Sequence, residues 1–170
     1  MNRLEKLAGR LRGAAELVVV LLLGSMFVTF LVQIAFRYLL SLPLGWTVEY
    51  VTMAWLWGIL FGYAFVVRDD DVIRFDLVYA AVPPPVRRGM DILTGLACAG
   101  ILLWSLPKAW DFVLFMGIER TAYMRLPFDL LFAIYVPFAI AVSLRALLGV
   151  WHALRGEAHR PGPPRDLEHD

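Results

Sequence analysis

The run FRYLLSLPLGWTVEYVTMAWLWGILFGYAFVVRDDDVIRFDLVYAAVP, from Phe36 to Pro83, decides the fold. An apolar segment ends at Phe36 and Arg37, and a short connection with Pro43 and Gly45 follows. Trp46 and Glu49 open a second apolar run, which stops at Arg68 and the acids Asp69, Asp70 and Asp71. Two runs of about 20 apolar residues joined by so short a connection form a membrane hairpin. The half-apolar segment 72–82 then leads into Pro83, Pro84 and Pro85. It is too short to cross a bilayer, and Ile73, Leu77 and Ala80 or Ala81 can share a helical face. A short interfacial helix, ended by the prolines, is expected there.

Outward from this stretch the apolar texture continues. Apolar residues make up 60% of the chain, where about half is usual in a soluble domain. They fall in long runs and not on one helical face, the pattern of helices surrounded by lipid. The run from Leu17 to Phe36 is longer than a signal-peptide core of about 7–15 residues, and no small-residue cleavage pattern follows it. It is therefore read as a retained span, over 14–36, after a basic amphipathic lead-in over 1–13. Glu16 falls in its first turn, where the helix dipole favours a carboxylate. The second span covers 47–67 and holds Gly58 and Gly62, a small-xxx-small pair suited to close helix approach.

The third span is expected over 86–118 as one long helix bent near Pro107, with Lys108 and Asp111 neutralising each other three residues apart. The fourth covers 127–150, with Asp129 in its first turn and Pro137 as a kink. Arg145, close to its exit, can snorkel to the headgroups. Residues 14–152 thus form one four-helix membrane domain, and the polar tail 153–170 is expected to be disordered. Trp46, Trp104, Trp110 and Trp151 read as interfacial anchors against lipid.

Lysine and arginine set the orientation. The N-terminus carries Arg3, Lys6, Arg10 and Arg12; the link between spans two and three carries Arg68, Arg74, Arg87 and Arg88; the C-terminal end carries Arg145, Arg155, Arg160 and Arg165. The opposite side has Arg37, Lys108, Arg120 and Arg125. The positive-inside rule places both termini in the cytoplasm. The fold class is all-α and integral to the membrane: four transmembrane helices, in–in, with the interfacial helix between spans two and three.

The chemistry of enzymes is missing. No histidine lies within a span, and no metal, haem, triad or phosphate-loop pattern occurs, so the chain reads as a non-enzyme without cofactor or metal. A near-zero net charge gives no broad basic surface for nucleic acid. The one cysteine, Cys98, reads as a buried small hydrophobe. The middles of all four spans lack Asp, Glu, Lys and Arg, whereas a lone carrier buries ionisable groups near the bilayer centre. A scaffold for another membrane subunit is the plain reading. Arg37 and Glu49 bracket the first hairpin loop, either as an ion pair or as two solvated charges.

At these residues a resemblance enters. F-R-Y at 36–38, P-L-G-W at 43–46, the W-x-x-E of Trp46 and Glu49, Gly62 in an aromatic-rich span, and I-R-F-D at 73–76 occur in an order that resembles the small permease subunit of tripartite ATP-independent periplasmic (TRAP) transporters, the DctQ-like family. Val48 and Val72 depart from its usual pattern, which has a second acid after the Trp and a His before the cytoplasmic Ile. The resemblance implies a bacterial inner-membrane subunit that scaffolds a large multi-span permease one-to-one. That partner carries out sodium-coupled uptake of an organic acid delivered by a periplasmic receptor. Partner-interface candidates are Arg37, Trp46, Glu49, Gly58, Gly62 and Asp76; receptor-docking candidates are Glu119, Arg120 and Arg125. The rival readings are a small multidrug-type homodimer, which needs a Glu deeper in span one than Glu16, and a membrane anchor for another complex.

Overall fold

The computed structural model describes residues 3–67 and 82–155, with side chains from residue 9 onward. The expected interfacial segment, Asp76 and nearly all of the polar tail lie outside the described residues. Among the described residues five helices occur in chain order: α1 Arg3–Leu39, α2 Gly45–Phe65, α3 Pro84–Met116, α4 Phe128–Ala133 and α5 Tyr135–Leu154. There is no strand among the described residues. Among the described residues, four stretches are long and apolar enough to cross a membrane: Gly9–Leu39, Gly45–Phe65, Pro84–Met116 and Phe128–Leu154.

Local chemistry sets the boundaries. The expected lead-in and first span form one unbroken helix of 37 residues, about 55 Å long against a hydrocarbon core of about 30 Å. Glu16 is therefore not a first-turn residue. It sits four turns in and pairs with Arg12 at 2.9 Å. Span three starts earlier than the three prolines suggested: Pro83 caps α3 in an extended conformation, and Pro84 and Pro85 open it. A first-turn residue has no intrahelical partner for its N–H, so proline costs nothing there. Span four is broken at Ile134, between α4 and α5. Pro137 cannot donate to the carbonyl of Ala133, and its ring crowds that carbonyl, which places the break one turn upstream of the expected kink. Pro107 lies inside α3 without interrupting it.

The helices pack as two hairpins, α1 against α2 and α3 against α4 and α5, joined by a smaller contact between α2 and α5. Small residues make these contacts: Ala54, Ala64, Ala99, Ala139 and Ala153 are all buried. With lipid as solvent, close backbone approach replaces hydrophobic collapse as the source of packing. Gly95 shows it directly, since a Cβ there would lie 2.5 Å from Val150 Cγ2 and 3.2 Å from the Ala146 carbonyl. The stripe of α3 that meets α5 runs through Gly95 and Ala99 and leaves Cys98 exposed, contrary to the expected buried thiol. Large apolar side chains cover the outside, as on α1 with Leu17, Val20 and Phe27.

The chain passes between two ends. One gathers the start of α1, the exit of α2, the entry of α3 and the exit of α5, and is called the terminal end here. The other holds the α1–α2 connection and the loop 117–127, and is called the loop end.

Candidate functional site

Glu49 lies one turn into α2 at the loop end, half-buried. Its carboxylate grips the loop between α3 and α4: the Tyr123 N–H donates to Oε1 at 2.8 Å and the Met124 N–H to Oε2 at 2.9 Å. Neither reading of the Arg37–Glu49 couple holds. Arg37 is exposed at the last turn of α1, and Glu49 is committed to backbone amides. An ionised acceptor shared by two N–H groups makes stronger hydrogen bonds than neutral pairs do.

The loop that Glu49 holds is itself ordered by hydrogen bonds. The Thr121 N–H donates to the Leu126 carbonyl at 2.9 Å, and the Leu126 N–H donates back to Thr121 Oγ1 at 3.0 Å. The Phe128 N–H reaches the Glu119 carbonyl at 3.1 Å. Arg120 Nη1 donates to the Arg125 carbonyl at 3.4 Å. Arg125 turns the chain in the left-handed region, with φ 52°, and Thr121 is buried beneath the turn. Tyr123 lays its ring over Gly45, where any Cβ would collide with the ring carbons. Gly45 therefore keeps the first turn of α2 bare so that the loop can seat on it. Thr47 beside it is fully buried and donates to the Leu44 carbonyl at 2.6 Å. Glu119, Arg120 and Arg125 all stand exposed on this loop.

At the terminal end the polarity inverts. α2 carries no basic residue in its own last turn, so its closing carbonyls need donors from elsewhere. Arg145 of α5 supplies them, with Nη1 donating to the Tyr63 carbonyl at 2.8 Å and Nη2 to that of Val67. It is thus drawn inward as a tertiary cap and does not simply snorkel. Arg12 of α1 adds a longer contact, Nη2 to the Val66 carbonyl at 3.5 Å. Arg88 of α3 donates to the Leu154 carbonyl in the last turn of α5, and Arg87 Nε to the Val82 carbonyl at 2.8 Å.

Further links lie between the ends, among them a Tyr50 hydroxyl donating to Ser25 Oγ of α1 at 2.7 Å. Trp57 Nε1–H donates to the Leu131 carbonyl at 3.2 Å, one of the backbone acceptors that the break at Ile134 leaves without a helical partner. Ser105 and Tyr135 join their hydroxyls at 3.0 Å across α3 and α5. The other expected site residues disperse. Trp46 is exposed. Gly62 is buried, and a Cβ there would lie 3.6 Å from Val19 Cγ2 of α1, whereas Gly58 faces open space. Lys108 and Asp111 are both exposed and form no ion pair with each other. Among the described residues, no group of three His, Cys, Asp or Glu could hold a metal ion.

The family model described as "Tripartite ATP-independent periplasmic transporters, DctQ component" matches residues 26–156. The chain belongs to the DctQ family. No curated protein matches it. A DctQ component is part of a transporter, and the four spans make this one a multi-pass membrane protein. Its matched region contains every residue of the Glu49 latch and the Arg145 cap, while the outer half of α1, with Arg12, lies before it. Sequence reasoning singled out Glu49 but missed its partners Tyr123 and Met124, and the roles of Gly45 and Thr121 in seating and closing their loop. The only available signal was the glycine directly before Trp46 in P-L-G-W, because backbone N–H groups leave no trace in a sequence. Arg145 and Trp57 were visible as residues but not as caps.

Proposed function

We propose that this DctQ chain is the static scaffold of a TRAP-type secondary transporter in a bacterial inner membrane, with both termini cytoplasmic and the loop end periplasmic. It packs one-to-one on a large multi-span permease, which carries the substrate and sodium sites and moves an organic acid delivered by a soluble receptor. Apart from the family, one observation supports the reading. No Asp, Glu, Lys, Arg or His occurs between Glu16 and Arg37, Glu49 and Arg68, Asp91 and Lys108, or Asp129 and Arg145, so the bilayer centre offers a coupling ion no charged side chain. What the chain offers instead is apolar area on helices pinned at both ends by hydrogen bonds. Exposed Trp46, Trp104, Trp110 and Trp151 anchor that area at the headgroup levels, which resists tilting of a partner whose moving part slides against something fixed.

The experiment is reconstitution. The chain, the large subunit and the receptor together are expected to take up substrate into proteoliposomes, and omission of any one abolishes uptake. The chain and large subunit are expected to purify at one-to-one stoichiometry. Uptake by the chain alone, or undiminished uptake without it, overturns the reading.

A further inference from the structure

By residue count the loop end is electrically balanced: Arg37, Lys108, Arg120 and Arg125 against Glu49, Asp111, Glu119 and Asp129. Folding makes two of the acids less exposed than the cations and engages them with backbone donors. Glu49 turns its two oxygens to the N–H groups of Tyr123 and Met124. Asp129 is half-buried in the first turn of α4. Its Oδ1 accepts the Leu130 N–H at 2.6 Å, and its Oδ2 lies where a Cβ on Gly117 would meet it at 3.1 Å. A carboxylate that already accepts backbone N–H groups keeps its charge but has fewer acceptor positions left for the donors of a partner. The exposed charges that remain are four cations and two acids, Asp111 and Glu119.

The loop that carries two of these cations is held in place. Arg120 bonds the Arg125 carbonyl, Arg125 is fixed in the left-handed region, and the loop beneath them is closed by Thr121 and seated on Gly45 by Tyr123. A cationic ledge that is already ordered loses little conformational freedom when a partner binds.

We propose that this ledge, Arg120 and Arg125 with Arg37 at the same end, docks an acidic face of the soluble receptor, and that Glu49 is the positioning residue that presents it. The inference rests on the scaffold reading above and adds the sign of the charge on the partner. Charge pairs at such a rim act mainly on the encounter rate and are screened within about 8–10 Å at ordinary salt.

The test uses the complex of this chain with its large subunit, reconstituted in vesicles of uncharged net headgroup. Uptake is measured against the concentration of the transporter's own soluble receptor at low and physiological salt. For R120E/R125E the half-saturating receptor concentration is expected to rise about tenfold at low salt and to converge on wild type as salt screens the pair. The maximal rate stays unchanged. Glu119→Lys, at an exposed position, is expected to shift it the other way. Glu49→Gln keeps the size but puts an NH2 against one amide, so it is expected to raise the half-saturating concentration at both salts. A lower half-saturating concentration for R120E/R125E, a higher one for Glu119→Lys, or no effect of either at low salt, overturns the proposal. Loss of the R120E/R125E effect when anionic lipid is included points to headgroups as the ledge's ligand and also overturns it. Failure of the scaffold reading is separate, because it shows in the wild-type complex as uptake that does not require this chain.

Discussion

At the loop end a carboxylate from α2 meets the amide N–H groups of a distant loop; at the terminal end guanidinia from α1 and α5 meet the carbonyls that finish α2. Both ends face the problem that a helix leaves donors bare at its start and acceptors bare at its finish. The difference lies in what is tied down. The terminal end fastens helix to helix, since Arg145 links the two hairpins where their contact is otherwise small. The loop end also joins the hairpins, but by fastening a loop, and not a helix, to α2. One end therefore supports stability and the other presents a surface.

That contrast can be broken by mutation, and the largest effect belongs to the terminal end. Arg145→Ala leaves the carbonyls of Tyr63 and Val67 without their charged donor and is expected to cost roughly 1–3 kcal/mol, read as a lower melting temperature of the purified complex in detergent. Arg145→Lys keeps the charge but loses the fork, and is expected to recover only part of it. A melting temperature equal to wild type in Arg145→Ala would make the cap ornamental.

Between the ends, Trp57→Phe strands the Leu131 carbonyl in an apolar site while keeping most of the ring volume. About 1–2 kcal/mol of destabilisation is expected, with substrate uptake per folded complex unchanged. If the variant is as stable as wild type, the break at Ile134 is satisfied by something other than the indole.

At the loop end the readout moves from stability to local order. In Glu49→Ala the amides of Tyr123 and Met124 are expected to exchange about tenfold faster, with little change in melting temperature. Gly45→Ala pushes Tyr123 off its seat and is expected to accelerate the same amides. Equal losses of melting temperature in Glu49→Ala and Arg145→Ala would erase the distinction between the ends. The smallest effect is expected for Arg12→Ala. Its contact to Val66 is long and its pair with Glu16 is exposed, and such pairs are worth about 0–1 kcal/mol.

The sequence by itself determined the number of spans and their approximate limits, because lipid imposes a minimum apolar length that composition must satisfy locally. The order of F-R-Y, P-L-G-W and W-x-x-E also carried the family, since those residues sit in one hairpin. Where the chain starts each helix was less legible. Pro84 and Pro85 read as terminators and act as openers, a choice that depends on which side of them the next backbone partner lies. The bonding of Glu49, Arg145 and Trp57 was decided by the tertiary structure alone. Each pairs with a backbone group roughly 70–80 residues away, and every residue has the same N–H and C=O to offer, so no side-chain pattern marks the partner. The surface charge of the loop end was hidden for the same reason: it depends on which carboxylates find amides, and only the packed chain settles that.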